Sequence, residues 1–268
     1  MKTILKRTAG YAAGNKFCCS VFRLINREKL NIIYYHRVIK KGDFVNSASM
    51  HLCVDYESFE KQMKFLSQCY NPVSEADIIS AMEGRVKMPE YPVWVTFDDG
   101  YKDNYTYAYP IFKKYRIPAT FFITTGFINK KVFIYEDDLF MNWEEIQEMS
   151  NQGFAIGAHT ISHRILSTLS RQEIEKEISG SKYEIESKLG KDVLSFAYPR
   201  GKNTDFVDDT CFPVLQSCGF KLGVTTIGGA NAQVSEKNRF NLKRIGVSYE
   251  DTLDFFRVKV SAGSFWQR

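Results

Sequence analysis

Apolar positions along the chain follow two alternating periods. Short β-branched and aromatic runs recur at 31–35 (Asn-Ile-Ile-Tyr-Tyr), 93–97 (Val-Trp-Val-Thr-Phe), 119–124, 154–158, 194–198, 220–225 and 242–247. Runs this short, bounded by turn residues and rich in β-branched and aromatic side chains, predict buried strands. Between them the spacing is helical. Residues 55–70 set Phe59, Met63 and Leu66 on one face behind Asp55 as a cap, and 74–84 opens with Ser74 and Glu75 and stops at Gly84. A helix over 103–115 ends at Arg116-Ile117-Pro118. Further helices are predicted at 142–151 behind Asn142, at 170–189 with a Ser170/Glu173 capping box and Gly190 as its stop, within 205–218 around Pro213, and at 250–257.

Strands that alternate with helices imply a parallel sheet built from right-handed crossovers. Seven of them in one chain suit an α/β barrel, closed or nearly so, better than two domains. In such a barrel the reactive groups gather where strands end. His36 follows the first strand, Asp98 and Asp99 the second, His159 the fourth, and Pro199-Arg200 the fifth. That shared position argues for one site. The two adjacent carboxylates point different ways at a strand end, so one can hold a metal while the other handles a proton. His159-Thr160-Ile161-Ser162-His163 places two imidazoles on one face of a turn. With a strand-end Asp they make a facial set that leaves positions open for water and substrate.

Composition narrows the function. Hydrophobic residues make up 44% of the chain and charged ones 25%, ordinary for a globular domain. The net charge of +5 is concentrated at the start: within the first thirty residues Lys2, Lys6, Arg7, Lys16, Arg23, Arg27 and Lys29 face Glu28 alone. The rest is near neutral, which argues against a nucleic-acid-binding domain. The leader has no apolar stretch long enough for a secretory h-region, being interrupted by Gly10, Gly14, Asn15 and Lys16. Ile4, Tyr11, Cys18, Phe22 and Ile25 share one helical face. Residues 1–29 are therefore read as a basic amphipathic extension ahead of a domain at 30–268. That extension either lies on an anionic membrane surface or packs on the outside of the domain. Six cysteines without a Cys-x-x-Cys pair read as thiols and favour a reducing compartment. The expected location is the cytoplasm, either free or at the inner face of the membrane.

Three segments carry a family resemblance: Thr96-Phe97-Asp98-Asp99-Gly100, then His159-Thr160-Ile161-Ser162-His163, then Phe196-Ala197-Tyr198-Pro199-Arg200-Gly201. In this order and at these separations the chain resembles the polysaccharide deacetylases, the NodB-homology domain of carbohydrate esterase family 4, over about residues 30–250. Tyr101-Lys102-Asp103-Asn104-Tyr105 and Ile117-Pro118-Ala119-Thr120-Phe121-Phe122 look like the family as well. The resemblance implies a distorted (β/α) barrel of fewer than eight strands and a metal-dependent hydrolase that removes N-acetyl groups from amino sugars. By the same resemblance Asp99, His159 and His163 hold a divalent ion, Asp98 is the general base, and the backbone N–H of Arg200, after Pro199, faces the developing oxyanion. Tyr198 and Tyr101 are carried over as substrate-side residues. Zinc is the default metal for two imidazoles and a carboxylate, and cobalt or nickel fits the same geometry.

Two departures stand out. Ala197 occupies the position of the family's motif arginine, which steadies the base, leaving Arg200, Arg239 and Arg244 as substitutes. No histidine follows His163, so the family's late acid is missing. His36 in Tyr35-His36-Arg37-Val38 takes its place, as in the branch that resembles poly-N-acetylglucosamine deacetylases. The implied substrate is an N-acetylated oligo- or polysaccharide, or a lipid-linked or nucleotide-linked amino sugar used to build one. The rival expectations are a binding protein of the same fold with impaired catalysis, and an O-acetyl esterase of the acetylxylan kind.

Overall fold

The structure, a computed structural model, describes residues 16–43, 47–128, 139–206 and 208–263. Ten strands are described: β1 (Asn31–Tyr35), β2 (Arg37–Ile39), β3 (Cys53–Asp55), β4 (Asn71–Pro72), β5 (Pro92–Phe97), β6 (Ala119–Ile123), β7 (Ala155–Ala158), β8 (Ser195–Ala197), β9 (Leu222–Gly228) and β10 (Leu242–Gly246). Seven of these close a parallel barrel in the order β1, β10, β9, β8, β7, β6, β5, with β5 pairing back onto β1. The closing pair is in register over its whole length, from Asn31 opposite Val93 to Tyr35 opposite Phe97. The seven barrel strands are those the apolar runs predict. The short parallel pair β2–β3 and the two-residue β4 carry too few positions to show a period.

The helices are α1 (Lys16–Ile25), α2 (Tyr56–Cys69), α3 (Glu75–Met82), α4 (Tyr109–Tyr115), α5 (Thr125–Ile128), α6 (Trp143–Asn151), α7 (Arg171–Leu189), α8 (Asp208–Ser217) and α9 (Leu253–Ala262). Their ends obey the local chemistry. Asp55 accepts the Ser58 amide, Ser170 and Glu173 complete their capping box, and Gly190 closes α7 in the left-handed region at φ 63°. The helix predicted over 103–115 is interrupted: a π-helical turn at Asn104–Ala108 precedes α4. Asp103 and Asn104 are committed elsewhere, as described below, and a wider turn accommodates them. The last helix starts later than predicted, because Thr252 is its cap.

Strand alternation sorts the core into two layers. Ile33, Tyr35, Val93, Val95, Phe97 and Phe121 join Phe59 and Phe112 beneath the surrounding helices, with Phe97 stacked between Tyr35 and Phe121 at 5.3 and 5.4 Å. Ile32, Trp94, Phe122, Ala197, Val224 and Leu242 form the second layer, inside the barrel. Asp98 continues the inner series of Trp94 and Thr96, and Arg244 that of Leu242. Both therefore point inward at the end of the barrel where the strands finish.

A buried carboxylate also marks this core. Glu75, on the first turn of α3, accepts the Ser195 hydroxyl at 2.5 Å and is raised to about 7, burial outweighing that hydrogen bond. A carboxyl whose folded pKa lies above its unfolded value near 4.5 keeps its proton longer in the folded state. Stability is then full below the unfolded value and falls as pH rises toward 7. The loss is on the order of 3 kcal/mol. Glu75→Gln should remove most of this slope in denaturant titrations between pH 5 and 8, to within about 1 kcal/mol; an unchanged slope would clear Glu75 of the effect.

The described part of the N-terminal extension packs on the domain. The Asn26 side-chain amide donates to the Ser261 carbonyl of α9 at 2.9 Å. Arg23 donates to the Cys69 carbonyl at 3.1 Å and lies over Tyr91. Val21, Leu24 and Ile25 of α1 stay exposed. Ile4 and Tyr11, part of the predicted amphipathic face, lie outside the described residues. Cys19, Cys53, Cys69, Cys211 and Cys218 are thiols rather than half-cystines.

Candidate active site

The segment after β5 divides its two acids as the strand-end argument requires. Asp98 stays on the inner face, while Asp99 adopts φ 74° and Gly100 φ 85°. This left-handed pair swings the Asp99 carboxylate out of the inner series toward the turn after β7. Aspartate tolerates that region better than most residues. Asp99 Oδ1 then lies 3.4 Å from His159 Nε2 and 3.3 Å from His163 Nε2. The three ligand atoms fall within 4.8 Å of one another.

These donors fit a cation. The His159 Nδ1 is 2.7 Å from the Ala197 carbonyl, which can only accept, so Nδ1 carries the proton and Nε2 is left to face Asp99. Asp99 Oδ1 is buried and has no hydrogen-bond partner. An ionised oxygen buried in this way is costly unless something positive meets it. Burial alone would raise the Asp99 pKa, but the His163 and His159 rings overcome it and hold the carboxyl well below its usual range. His163, the more open of the two rings, is lowered to about 4 by burial, against the pull of Asp99. Both tendencies favour a deprotonated Asp99 and His163, whereas His159 is raised: burial lowers it, and the Asp99 and Asp98 carboxylates outweigh that burial.

Asp98 is held differently. Arg244 Nη1 and Nη2 donate to Asp98 Oδ1 and Oδ2, each at 2.7 Å. The same guanidinium donates from Nε to the Thr225 carbonyl and from Nη1 to the Thr96 hydroxyl, beneath the Tyr34 ring. Burial pushes the Asp98 pKa up and Arg244 more than reverses it, so the carboxylate stays ionised. Of the three candidate arginines, this fork places Arg244 against Asp98. Arg239 is turned away, paired with Glu236 and the Phe220 carbonyl. Arg200 is exposed at the rim.

His36 reaches the site because the Asp98 amide donates to the Tyr35 carbonyl at 3.0 Å, tying the end of β1 to the two acids. Its ring stands edge-on to Tyr34, 5.7 Å between centroids. Burial lowers its pKa, with the Asp99 and Asp98 carboxylates pulling the other way. Asp103 and Asn104 set the following backbone. Asn104 donates to the His36 carbonyl at 2.8 Å, while Asp103 accepts the Val38 amide and pairs with Arg37 at 2.9 Å. Neither was singled out by role in the sequence. Their signal was polar side chains in a stretch otherwise reading as helix.

Two expectations are corrected. Tyr198 does not face a substrate: its ring is buried in the core, stacked on Phe206 at 4.1 Å, and its hydroxyl donates to the Phe240 carbonyl. Tyr101 is likewise buried, stacked on Phe140, which packs against Phe127 and through it against the His163 ring. It backs the site rather than lining it. Both rings turn inward because the chain leaving a barrel strand must still cover the core. Pro199 is buried, and Arg200 adopts φ 58° in a turn fastened by the Thr226 hydroxyl on the Arg200 carbonyl.

The family model for polysaccharide deacetylases matches residues 85–223. YxkH of Bacillus subtilis (strain 168), a protein named for that family, is 30% identical over 221 residues, 82% of this chain and 72% of its own. The poly-beta-1,6-N-acetyl-D-glucosamine N-deacetylase of Staphylococcus aureus (strain MSSA476) is 30% identical over 237 residues, 80% of this chain and 77% of its own. Among solved structures, the Streptococcus pyogenes deacetylase PplD in complex with acetate superposes with a TM-score of 0.73 at 26% identity, over 87% of this chain and 98% of that one. IcaB from Ammonifex degensii gives 0.72 at 25% identity, over 87% and 97%. The chain belongs to the polysaccharide deacetylase family. It is a carbohydrate deacetylase, on the branch that resembles the poly-N-acetylglucosamine enzymes.

Proposed function

We propose that this deacetylase removes N-acetyl groups from a glycan of N-acetylated amino sugars by metal-assisted hydrolysis. Asp99, His159 and His163 would hold a divalent cation, zinc by default for this donor set and cobalt or nickel as substitutes. The observation that carries the reading is the buried, unpartnered Asp99 Oδ1 between two Nε2 atoms. When bound, such a cation acidifies water and polarises the acetyl carbonyl.

The chain's own residues supply the rest. Asp98, fixed by the Arg244 fork, accepts a proton from the attacking water at a carboxylate oxygen. The backbone N–H of Arg200 donates to the carbonyl oxygen as charge develops on it. The carbon–nitrogen bond then breaks, and His36 gives a proton to the leaving nitrogen. The proton held by Asp98 restores the one His36 gave, so acetic acid and the amine leave, as acetate and ammonium at neutral pH, with the site unchanged. Burial lowers the His36 pKa, against the pull of Asp99 and Asp98, which makes its imidazolium the stronger acid toward the leaving nitrogen.

The Staphylococcus aureus relative is named for poly-beta-1,6-N-acetyl-D-glucosamine. A β-linked N-acetylglucosamine polymer is accordingly the substrate class proposed here, met as a precursor at the inner face of the membrane. The binding-only alternative draws on the arginine absent at position 197 and on the missing late histidine; the Arg244 fork on Asp98, and His36 close enough to feel both acids, favour the catalytic reading. Incubation with N-acetylglucosamine oligomers should release acetate, and a chelator should stop it; ester-only release would favour the O-acetyl reading. His36→Ala should keep cation binding and lose about 10²–10⁴-fold in turnover. Near-normal acetate release by that variant would take His36 out of the mechanism.

A further inference from the structure

The turn carrying His159 and His163 is strained. Thr160 has φ 64° and His163 φ 57°, two left-handed residues that are not glycine within four positions. Such a backbone persists only when its surroundings over-determine it. One restraint is local, the His163 amide donating to the Thr160 hydroxyl at 3.0 Å; the start of α5 adds the Thr125 and Gly126 amides on the Thr160 and Ile161 carbonyls at 3.3 and 2.8 Å. The central amides of the turn are held from α7. Both central amides, Ile161 and Ser162, donate to the same Glu177 oxygen, Oε2, each at 2.9 Å. The Ser162 hydroxyl donates to the other, Oε1.

We propose that Glu177, on α7, is a positioning residue that holds this turn in the shape its two histidines need to share a cation with Asp99. The inference rests on the reading of those three residues as the metal site. Glu177 lies on the buried stripe of α7 with Ile174, Ile178 and Ser181, where a carboxylate is out of place for packing. One turn further along, Gly180 leaves room for the Ile161 side chain as it stands, since a Cβ there would lie 2.6 Å from Ile161 Cδ1. Helix and turn are thus matched at two successive points. Glu177 acts on the site through the Ile161 and Ser162 amides and the Ser162 hydroxyl, which lie between the two histidines.

Glutamine can reproduce this pattern, accepting both amides at its carbonyl oxygen and donating its NH₂ to the Ser162 oxygen. Alanine cannot. Two readouts on chelator-stripped full-length protein separate the clamp from the site. In amide hydrogen exchange without metal, Ile161 and Ser162 should exchange at least about tenfold faster in Glu177→Ala than in the wild type and Glu177→Gln. In zinc titrations Glu177→Ala should bind about 10–100-fold more weakly, Glu177→Gln within about threefold of wild type, and Ser162→Ala in between. Unchanged exchange and affinity in a folded Glu177→Ala would overturn the proposal. If Glu177→Ala fails to fold, wild-type exchange and affinity in Ser162→Ala would overturn it instead. A wild-type protein that takes up no zinc would sink the metal reading, while the exchange experiment would still decide whether Glu177 holds the turn.

Discussion

Asp98→Asn is expected to cost about 10³–10⁴ in turnover, at the upper end of what one proton-transfer group contributes, with zinc affinity unchanged. The substitution keeps the shape and one acceptor oxygen for Arg244 but removes the basicity and the charge that Arg244 pairs with, so turnover is compared on folded protein. Asp99→Asn should do the reverse, weakening the cation first and turnover in consequence. The contrast between neighbours is the informative part, because both are carboxylates at the end of one strand and both are buried. What separates them is backbone: the left-handed turn at Asp99 sends it to the imidazoles and leaves Asp98 with the arginine. Acetate release and zinc titration on the two variants test the division. Equal loss of zinc from both would show that the roles are not split.

Arg244→Met should be the most destabilising single change at the site, by about 3–5 kcal/mol. Removing one partner leaves the other charge buried and uncompensated. Turnover should fall with it, since a carboxylate without its fork can take up a proton or swing away. Lysine would not rescue the site, because a point charge cannot match two parallel hydrogen bonds. The double variant Arg244→Met/Asp98→Asn removes both charges and should recover much of the lost stability. Denaturant melts of the two single variants and the double form a cycle. Additive losses would mean that the pair seen at 2.7 Å contributes nothing specific.

Much of this was legible in the chain, for identifiable reasons. The barrel strands are apolar runs buried on both faces, so their composition announces them, and the motif acids and histidines follow those strands directly. What could not be read is what barrel closure brings together. Arg244 and Asp98 are 146 positions apart, and they meet because β10 and β5 both pair with β1. The clue was a cation in step with Leu242, on the opposite face of the strand from Lys243. Ring direction was equally hidden: Tyr198 and Tyr101 stand in the right segments, but their rings go to packing. Asp103 and Asn104 sit where the predicted helix is interrupted, Asp103 bonding the Val38 amide and Arg37 and Asn104 the His36 carbonyl. Glu177 was visible only as a charge on the apolar stripe of a long helix.

The central claim is one cation shared by Asp99, His159 and His163. Isothermal titration of chelator-stripped protein with zinc, beside Asp99→Ala and His163→Ala, tests it most directly. A single equivalent bound by the wild type and lost, or weakened at least about 100-fold, in both variants is the predicted result. Zinc that binds the variants as tightly as the wild type, or a wild type that binds none, would contradict it.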